Sequence, residues 1–521
     1  MRIRAGLVVA VALALPFVSL ASAAQQGAPG TATVVTDWDK VIGVSNTVPT
    51  TQILAHAYSL RDSPIHDALF KALQDLHTDA TRLQFWYSVS RQAVLEIEEP
   101  TSTETHWDFR YADPLVADYY AHTSGKHHLN ISTIPRWMFK VPPKQVPTDP
   151  KASFYPYTDD TRGDLLKDPS GRQIAEYQAR IFQWYTQGGF KDELGKFHKS
   201  GHHYKIDQWD VLNEPDFENK ITVEQFTRIY DAVTEAIHKI DPNVEFFAPE
   251  VSGAEIPWAR YFLNPNNHKA GFLPVKWFTF HNYVNAPNDP ATWHAKYFTD
   301  PSKSETDGPA ARAFVDRIRE VLKIRDELSP NTKVIVDEFG TFNDVKTTEE
   351  ACRADEPYQA YHPLYWNAEG ANWAYIFIAS QRLGLPIFSM SQMLGYPTQC
   401  PSISMFDKDT AKPNSHYWAL YLINREFTPG DKLASTTVSS DDLEGQSALT
   451  KTGRKLLLIN TTEHPLPVNL AESFSGAEAS GLQADIVDQN SGEEPPRAER
   501  LNAPQITLAP FAVAVIHHAA K

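Results

Sequence analysis

The chain has 521 residues, too many for one ordinary core but normal for a large barrel followed by a smaller domain. A formal net charge of −16 argues against nucleic acid or an anionic membrane as partner. Two cysteines exclude a zinc ribbon by count, and 12 Trp, 21 Tyr and 27 Phe supply flat faces that suit both a core and sugar rings.

In chain order, residues 1–23 read as a secretory signal. Arg2 and Arg4 form a short positive region, an apolar run extends from Leu7 to Leu20, and Ala21-Ser22-Ala23 has the small residues of a cleavage site. The run is short and lacks a positive stop signal, so export to periplasm or medium without a membrane anchor is expected. In an oxidising compartment Cys352 and Cys400 are expected to form a disulfide. Residues 24–40 are a polar lead containing a strand-like Ala32–Thr36, expected to pair with the C-terminal domain.

From 41 to 428, strand-like and helix-like segments alternate. The strand candidates are Val41–Asn46, Arg82–Val89, Leu129–Ile134, Ile206–Leu212, Val244–Ala248, Val275–His281, Lys333–Asp337 and Pro386–Ser391. Helical patterns such as Ile65–Leu76, Ile174–Gln187, Val223–Ile240, Ala310–Leu328 and Ala360–Arg382 lie between them. This alternation predicts an α/β fold, a (β/α)8 TIM barrel. After Pro429-Gly430, short runs separated by Gly, Ser, Asn and Pro, the last of them Ile506–Ile516, predict a β-sandwich over 429–521.

Two strands stand out. Trp209-Asp-Val-Leu-Asn-Glu214-Pro215 ends the fourth candidate, and Lys333-Val-Ile-Val-Asp-Glu338-Phe-Gly340 the seventh. Strand C-termini form the active-site mouth of such barrels. Pro215 cannot continue a ladder, so Glu214 is left at the rim. Two carboxylates so presented are what glycosidic cleavage needs: one protonates the leaving oxygen, the other attacks or activates water. Asn213 can donate to a sugar hydroxyl, and Trp137, after the third candidate, can wall a sugar site. Other clusters read blandly. His198-Lys-Ser-Gly-His202-His203 lacks a glutamate and is broken by Gly201, and Glu96–Glu99 reads as an acidic loop, so no metal site is expected.

On these residues the chain resembles clan A of the glycoside hydrolases, which carry an Asn-Glu acid/base after strand four and a nucleophile on strand seven. It is most similar to glycoside hydrolase family 39, the β-xylosidase-like family. Trp209–Asp216, Phe280-His281-Asn282-Tyr283 and Lys412-Pro413 leading into His416–Leu420 carry that likeness. The resemblance implies Glu214 as general acid/base, Glu338 as nucleophile, Arg82 steadying the nucleophile, Tyr283 bonded to it and His281 on the substrate side. It implies a retaining, cofactor-free hydrolase acting on an oligosaccharide or polysaccharide. Two departures bear on the sugar: Gln84 stands where the family has His, and Phe388-Ser-Met-Ser-Gln392 lacks the acidic pair that ends strand eight. Other activities on the same site (β-glucosidase, arabinosidase, endo-glycanase) stay open, as does a non-catalytic carbohydrate-binding barrel.

Overall fold

The computed structural model describes residues 30–86, 90–152, 161–299, 311–343, 361–395, 403–492 and 494–518. The signal-like segment and the expected Cys352–Cys400 disulfide lie outside the described residues. The first strand, β1 (Ala32–Val44), belongs to the C-terminal domain. Eight parallel strands follow: β2 (Val48–Leu54), β3 (Ala80–Phe85), β4 (Lys126–Ile131), β5 (Gln208–Val211), β6 (Glu245–Phe247), β7 (Trp277–Ala286), β8 (Lys333–Asn343) and β9 (Ile387–Met390). Their order in the sheet is β6-β5-β4-β3-β2-β9-β8-β7. The two ends meet through a parallel bridge, Val251 to Phe280, and through Thr279 N–H to Ala248 O at 2.9 Å and His281 N–H to Val251 O at 2.8 Å. The sheet is thus a closed TIM barrel.

One principal helix follows each barrel strand: α1 (His66–Asp75), α2 (Ala112–His122), α3 (Arg172–Thr186), α4 (Val223–His238), α5 (Ile256–Phe262), α6 (Ala311–Leu328), α7 (Tyr365–Leu383) and α8 (Ser415–Glu426). Helix α4 shows why. Thr222 caps it by accepting from Gln225 N–H, and Phe226, Ile229, Tyr230, Val233 and Ile237 form one buried stripe at helical spacing. Strand β3 is buried on both faces, as a strand under helices and around a filled barrel must be.

Three expectations need correction. Val41–Asn46 is not the first barrel strand. It continues β1, whose pairing with β10 (Lys432–Val438) shifts register between Asp37 and Val41. A bulge, not a loop, joins the two strand-like runs. Val41, Ile42 and Val44 are 45%, 50% and 47% exposed, which no inner barrel strand could be. The true first barrel strand, Val-Pro-Thr-Thr-Gln-Ile-Leu, presents no apolar run to the eye because Pro and polar residues fill its start. Second, Glu338 does not end its strand: β7 and β8 run on past the barrel as a paired ribbon to Ala286 and Asn343. Third, Ile506–Ile516 is two strands.

Beyond β10 the domain continues with β11 (Leu443–Thr450), β12 (Gly453–Asn460), β13 (Leu466–Asn469), β14 (Leu482–Val487), β15 (Arg497–Arg500), β16 (Gln505–Leu508) and β17 (Val513–His518). Strand β1 links the two layers, antiparallel to β10 and, over Ala32–Thr33, parallel to β13. Alternation along β12 and β17 divides the domain's buried faces. Leu456, Leu458, Ala514 and Ile516 fill the sandwich's own core, while Leu457, Ile459, Val513 and Val515 join the barrel's core cluster. The sandwich is therefore fused to the barrel through a continuous apolar interface. Arg382 of α7 reinforces it, donating to Gln446 Oε1 at 2.8 Å and Gly445 O at 2.7 Å.

Candidate active site

Arg82, the third residue of β3, organises the floor of the barrel mouth. Its guanidinium donates to Asp210 Oδ2 (2.7 Å), Gln52 Oε1 (2.6 Å), Glu338 Oε1 (2.5 Å), Asn213 Oδ1 (2.9 Å) and Glu250 Oε2 (2.9 Å). These partners come from β2, β5, β8 and the turns after β5 and β6. One buried cation thus ties five carboxyl or amide groups, in the bidentate style to which a planar guanidinium is suited. His128 and Asn130 of β4 complete the support of Asp210.

Glu214 is presented by a tight turn. Leu212 and Glu214 both adopt positive φ, +66° and +37°, which ends the β5 ladder. Asn130 Nδ2 pins the turn by donating to Leu212 O at 2.9 Å. The Glu214 N–H donates to Glu250 O at 2.8 Å, locking this turn to the one after β6. The Glu214 side chain is 15% exposed, enough for a substrate to reach it.

Glu338 is aimed by a bulge. Val336 pairs with Phe280 and Glu338 with His281, so Asp337 is the extra residue. The insertion turns the Glu338 side chain toward Arg82 and Tyr283. The Tyr283 hydroxyl donates to Glu338 Oε2 at 2.6 Å and lies 2.7 Å from Ser391 Oγ of the β9 end. His281 lies between the two glutamates, with Nδ1 2.8 Å from Glu214 Oε1 and 3.4 Å from Glu338 Oε2. One carboxyl oxygen of each glutamate and a ring nitrogen of His281 lie within 4.8 Å of one another.

The two carboxyls differ in proton affinity. Burial raises Glu214 above the usual carboxylate range, and the Glu338 charge adds to that against the pull of His281. Burial also works to raise Glu338, but His281, Arg82 and the Tyr283 and Gln52 hydrogen bonds outweigh it and hold Glu338 low. Burial opposes the charge on His281, yet Glu338 and Asp337 raise it well above an ordinary histidine. One carboxyl is thus poised to give a proton and its neighbour to stay ionised.

The remaining predicted residues fall into place unevenly. Arg82, Glu214, His281, Tyr283 and Glu338 form one cluster. Asn213 joins it from below: it is buried, its oxygen is taken by Arg82, and its amide donates to Glu218 Oε1 at 2.8 Å, leaving one N–H. His281 is fully buried behind the glutamates, because Glu214 and Glu250 engage both its ring nitrogens; it does not stand on the substrate side. Trp137 donates to Glu96 O at 2.8 Å and lines a separate cavity of about 680 Å³ with Ile134, Arg136 and Val141, apart from the carboxyl cluster. Glu96 is no exposed acidic loop residue: it is buried, and burial together with Glu193 pushes it up to about 8. His198 and His202 face Asp192 and Asp113 at 2.7 and 3.2 Å.

Site residues that escaped the sequence include Gln52, His128, Asn130 and Ser391, and two acids besides. Glu250 and Asp337 lie under the glutamates, and the only trace of Glu250 is Ala248-Pro249-Glu250, an acid beside proline after a strand, as in Asn213-Glu214-Pro215. Glu214, His281 and Glu338, and likewise Glu250, His281 and Asp337, have the donor types of a cation site. Arg82 is the cation they share, bonded to Glu338 and Glu250 and 3.9 Å from Asp337.

Residues 441–516 match a family model described as the D-apionate lactonase C-terminal immunoglobulin-like domain. No curated protein matches the chain. Among solved structures, the chain is similar to a glucosidase from Croceicoccus marinus, at 14% identity and TM-score 0.58, covering 94% of this chain and 98% of that one. It is similar to a GH30 endoxylanase from Clostridium papyrosolvens, at 13% identity and TM-score 0.52, covering 94% and 99%. An α-L-arabinofuranosidase from Thermotoga maritima aligns at 13% identity and TM-score 0.59, covering 93% and 99%. The chain shares, over nearly its whole length, the barrel-and-sandwich fold of these glycoside hydrolases.

Proposed function

We propose that the chain is a retaining glycoside hydrolase, with Glu338 as nucleophile and Glu214 as general acid/base. The observation that carries the reading is the pair itself: two carboxyls at the barrel mouth with oxygens within 4.8 Å and proton affinities displaced in opposite directions. Retaining enzymes hold their carboxyls about 5–5.5 Å apart, whereas inverting ones leave about 6.5–9.5 Å for a water. The ionised Glu338 attacks the anomeric carbon while Glu214 gives its proton to the departing oxygen. A glycosyl ester of Glu338 forms as the glycosidic bond breaks. Esterification removes the negative charge that raises Glu214, so Glu214 becomes the base. It takes a proton from water, whose oxygen attacks the anomeric carbon and frees Glu338. Tyr283 and Arg82 stabilise the Glu338 carboxylate between turnovers.

The family 39 likeness favours a β-xylosidase-like action on plant or microbial oligosaccharides or polysaccharides. Gln84 and the acid-free end of β9 favour a different glycone, and glucosidase and arabinosidase specificities use the same machinery. The signal-like N-terminus supports export. The test is hydrolysis of a panel of nitrophenyl glycosides and polymers, with the anomer of the first product read by NMR. A product of retained configuration is expected, and an inverted product excludes Glu338 as nucleophile.

The lactonase domain match favours a second reading, in which the same carboxyls open a sugar lactone. Glu338 would add to the lactone carbonyl and Glu214 would protonate the ring oxygen that leaves; water, deprotonated by Glu214, would then cleave the resulting anhydride, releasing the hydroxy acid and Glu338. Including an aldonolactone in the panel separates the two: lactone opening without hydrolysis of any glycoside would replace the glycosidase reading.

A further inference from the structure

We propose that the Glu250 and Asp337 carboxyls share one proton, which makes Glu250 a positioning residue of this site: the bond between the two carboxyls fixes His281 and Arg82 behind the catalytic glutamates. The catalytic consequence rests on the glycosidase reading, while the proton itself does not.

A charge inventory comes first. Five carboxyls converge on the floor of the mouth: Asp210 of β5, Glu214 after it, Glu250 after β6, and Asp337 and Glu338 of β8. The described groups among them able to bear positive charge are Arg82 of β3, His128 of β4 and His281 of β7. Even with both histidines charged, two carboxyls remain in excess. An uncompensated buried charge is strongly disfavoured, so a carboxyl in this position takes up a proton instead. Glu214, the acid, accounts for one such proton. A second remains to be placed.

Hydrogen bonding locates it. Glu338 accepts from Arg82 and Tyr283, and Asp210 accepts from Arg82 and Asn130. Glu250 accepts from Arg82 at 2.9 Å and from Thr279 Oγ1 at 2.8 Å, and His281 Nε2 lies 3.3 Å from its Oε2. Among the described residues Asp337 has no donor within bonding distance on either oxygen, though it is 2% exposed. His281 Nε2 stands 3.6 Å from it and Arg82 Nη2 3.9 Å, both outside bonding distance. Buried carboxylate oxygens are almost always hydrogen-bonded. The group beside Asp337 that can supply the missing donor is the Glu250 carboxyl: a Glu250 oxygen, an Asp337 oxygen and a His281 ring nitrogen lie within 4.8 Å of one another. Burial first and the Asp337 charge second raise Glu250 to about 7, in keeping with that placement.

The device explains two backbone features together. The bulge that turns Glu338 toward the mouth also drops Asp337 onto Glu250. Glu250 itself sits at φ +56°, and its carbonyl receives the Glu214 N–H. The shared proton thereby joins the turn that carries the acid to the strand that carries the nucleophile.

The test uses the intact chain. Infrared pH-difference spectra of Glu214→Gln protein are expected to contain a protonated-carboxyl band that bleaches as pH rises, and adding Glu250→Gln should remove one carboxyl's share of it. An identical band in the double variant overturns the proposal. Kinetics supply the second arm. Glu250→Leu should lower kcat by about a hundredfold with a much smaller change in KM, because the glutamates lose their support. Glu250→Gln, which keeps a donor for Asp337 and an acceptor for Arg82, should recover at least about tenfold of that. A Gln variant as damaged as the Leu variant would mean that Glu250 acts as a charge, not as a proton carrier. If Glu250→Leu does not fold, the spectra and the Gln variant still decide. If the wild-type protein hydrolyses no glycoside, the glycosidase reading fails while the spectra still report on the proton.

Discussion

Glu214 and Glu338 are chemically alike and are separated only by what surrounds them. Replacing either should therefore expose its role. Glu338→Ala is expected to abolish turnover on every glycoside, with azide restoring a glycosyl azide of inverted configuration. Glu214→Ala should slow poor leaving groups by about 10² or more and nitrophenolate far less, since an activated leaving group needs little protonation. Equal losses for both would remove Glu214 from the acid role. Wild-type kcat/KM should fall on the acid side as Glu338 takes up a proton, below the ordinary carboxylate range, and on the alkaline side as Glu214 loses its own, above it. Gly340 makes a finer test. A Cβ there would lie 3.2 Å from the Tyr283 ring and 3.2 Å from Ile403 Cγ2. Tyr283 cannot retreat without loosening its bonds to Glu338 and Ser391, so Gly340→Ala should cut kcat by about tenfold with little change in KM. The residues legible in sequence were those in short motifs at or after apolar strand runs: Asn213-Glu214-Pro215, Glu338-Phe339 and His281-Asn282-Tyr283. Glu250 was not legible, because its function depends on a partner 87 positions away that only a bulge brings near.

At the scale of elements, period and length carried most of the barrel. Seven strand candidates coincide with barrel strands, because inner strands buried on both faces read as dense apolar runs. The first barrel strand failed that rule. Thr50, Thr51 and Gln52 are buried yet polar, and Gln52 is there to bond Arg82. Its sequence answers to the site and not to the core. The bulge in β1 hid the other way, splitting one long strand into two runs. Strand β1 is also where an element's contribution can be measured. Trp38 Nε1 donates to Ser473 O at 2.6 Å, and Thr36 Oγ1 lies 2.7 Å from Ser447 Oγ and 2.9 Å from Ser473 Oγ, all within the C-terminal domain. Removing residues 30–44 would strip the strand that links the two layers and uncover a β10 edge. We expect a melting temperature lower by several degrees and unchanged preference among substrates. An unchanged melting temperature would reduce β1 to a leader.

For the whole molecule, buried acids set how stability depends on pH. Glu96, in the loop after β3, is raised from 4.5 to about 8 by burial first and by Glu193 second, and Glu250 to about 7 by burial and Asp337. Both keep a proton in the folded chain that the unfolded chain gives up near 4.5. Between pH 4.5 and 7–8 the native state therefore binds more protons than the unfolded state, and stability falls as pH rises. Below 4.5 both states are protonated at these groups and their contribution is fully present; above 8 it is gone. Glu235 works in the opposite sense. Lys269 and Lys239 hold it at about 2, so its contribution is present above about 4.5 and is lost as pH falls toward 2. It is fully exposed, and surface pairs of this kind contribute little. Buried His56, lowered to about 4, works against the decline up to its unfolded value of 6.5, so the melting temperature should fall from about pH 6.5 to pH 8. Glu96→Gln, which cannot titrate, should flatten the upper part of that decline while leaving the carboxyl cluster of the mouth untouched. A melting temperature that rises steadily across this range, or a Glu96→Gln protein with the wild-type slope, would show that Glu96 is ionised in the native chain. The loop after β3 would then have to place a donor on each of its carboxyl oxygens.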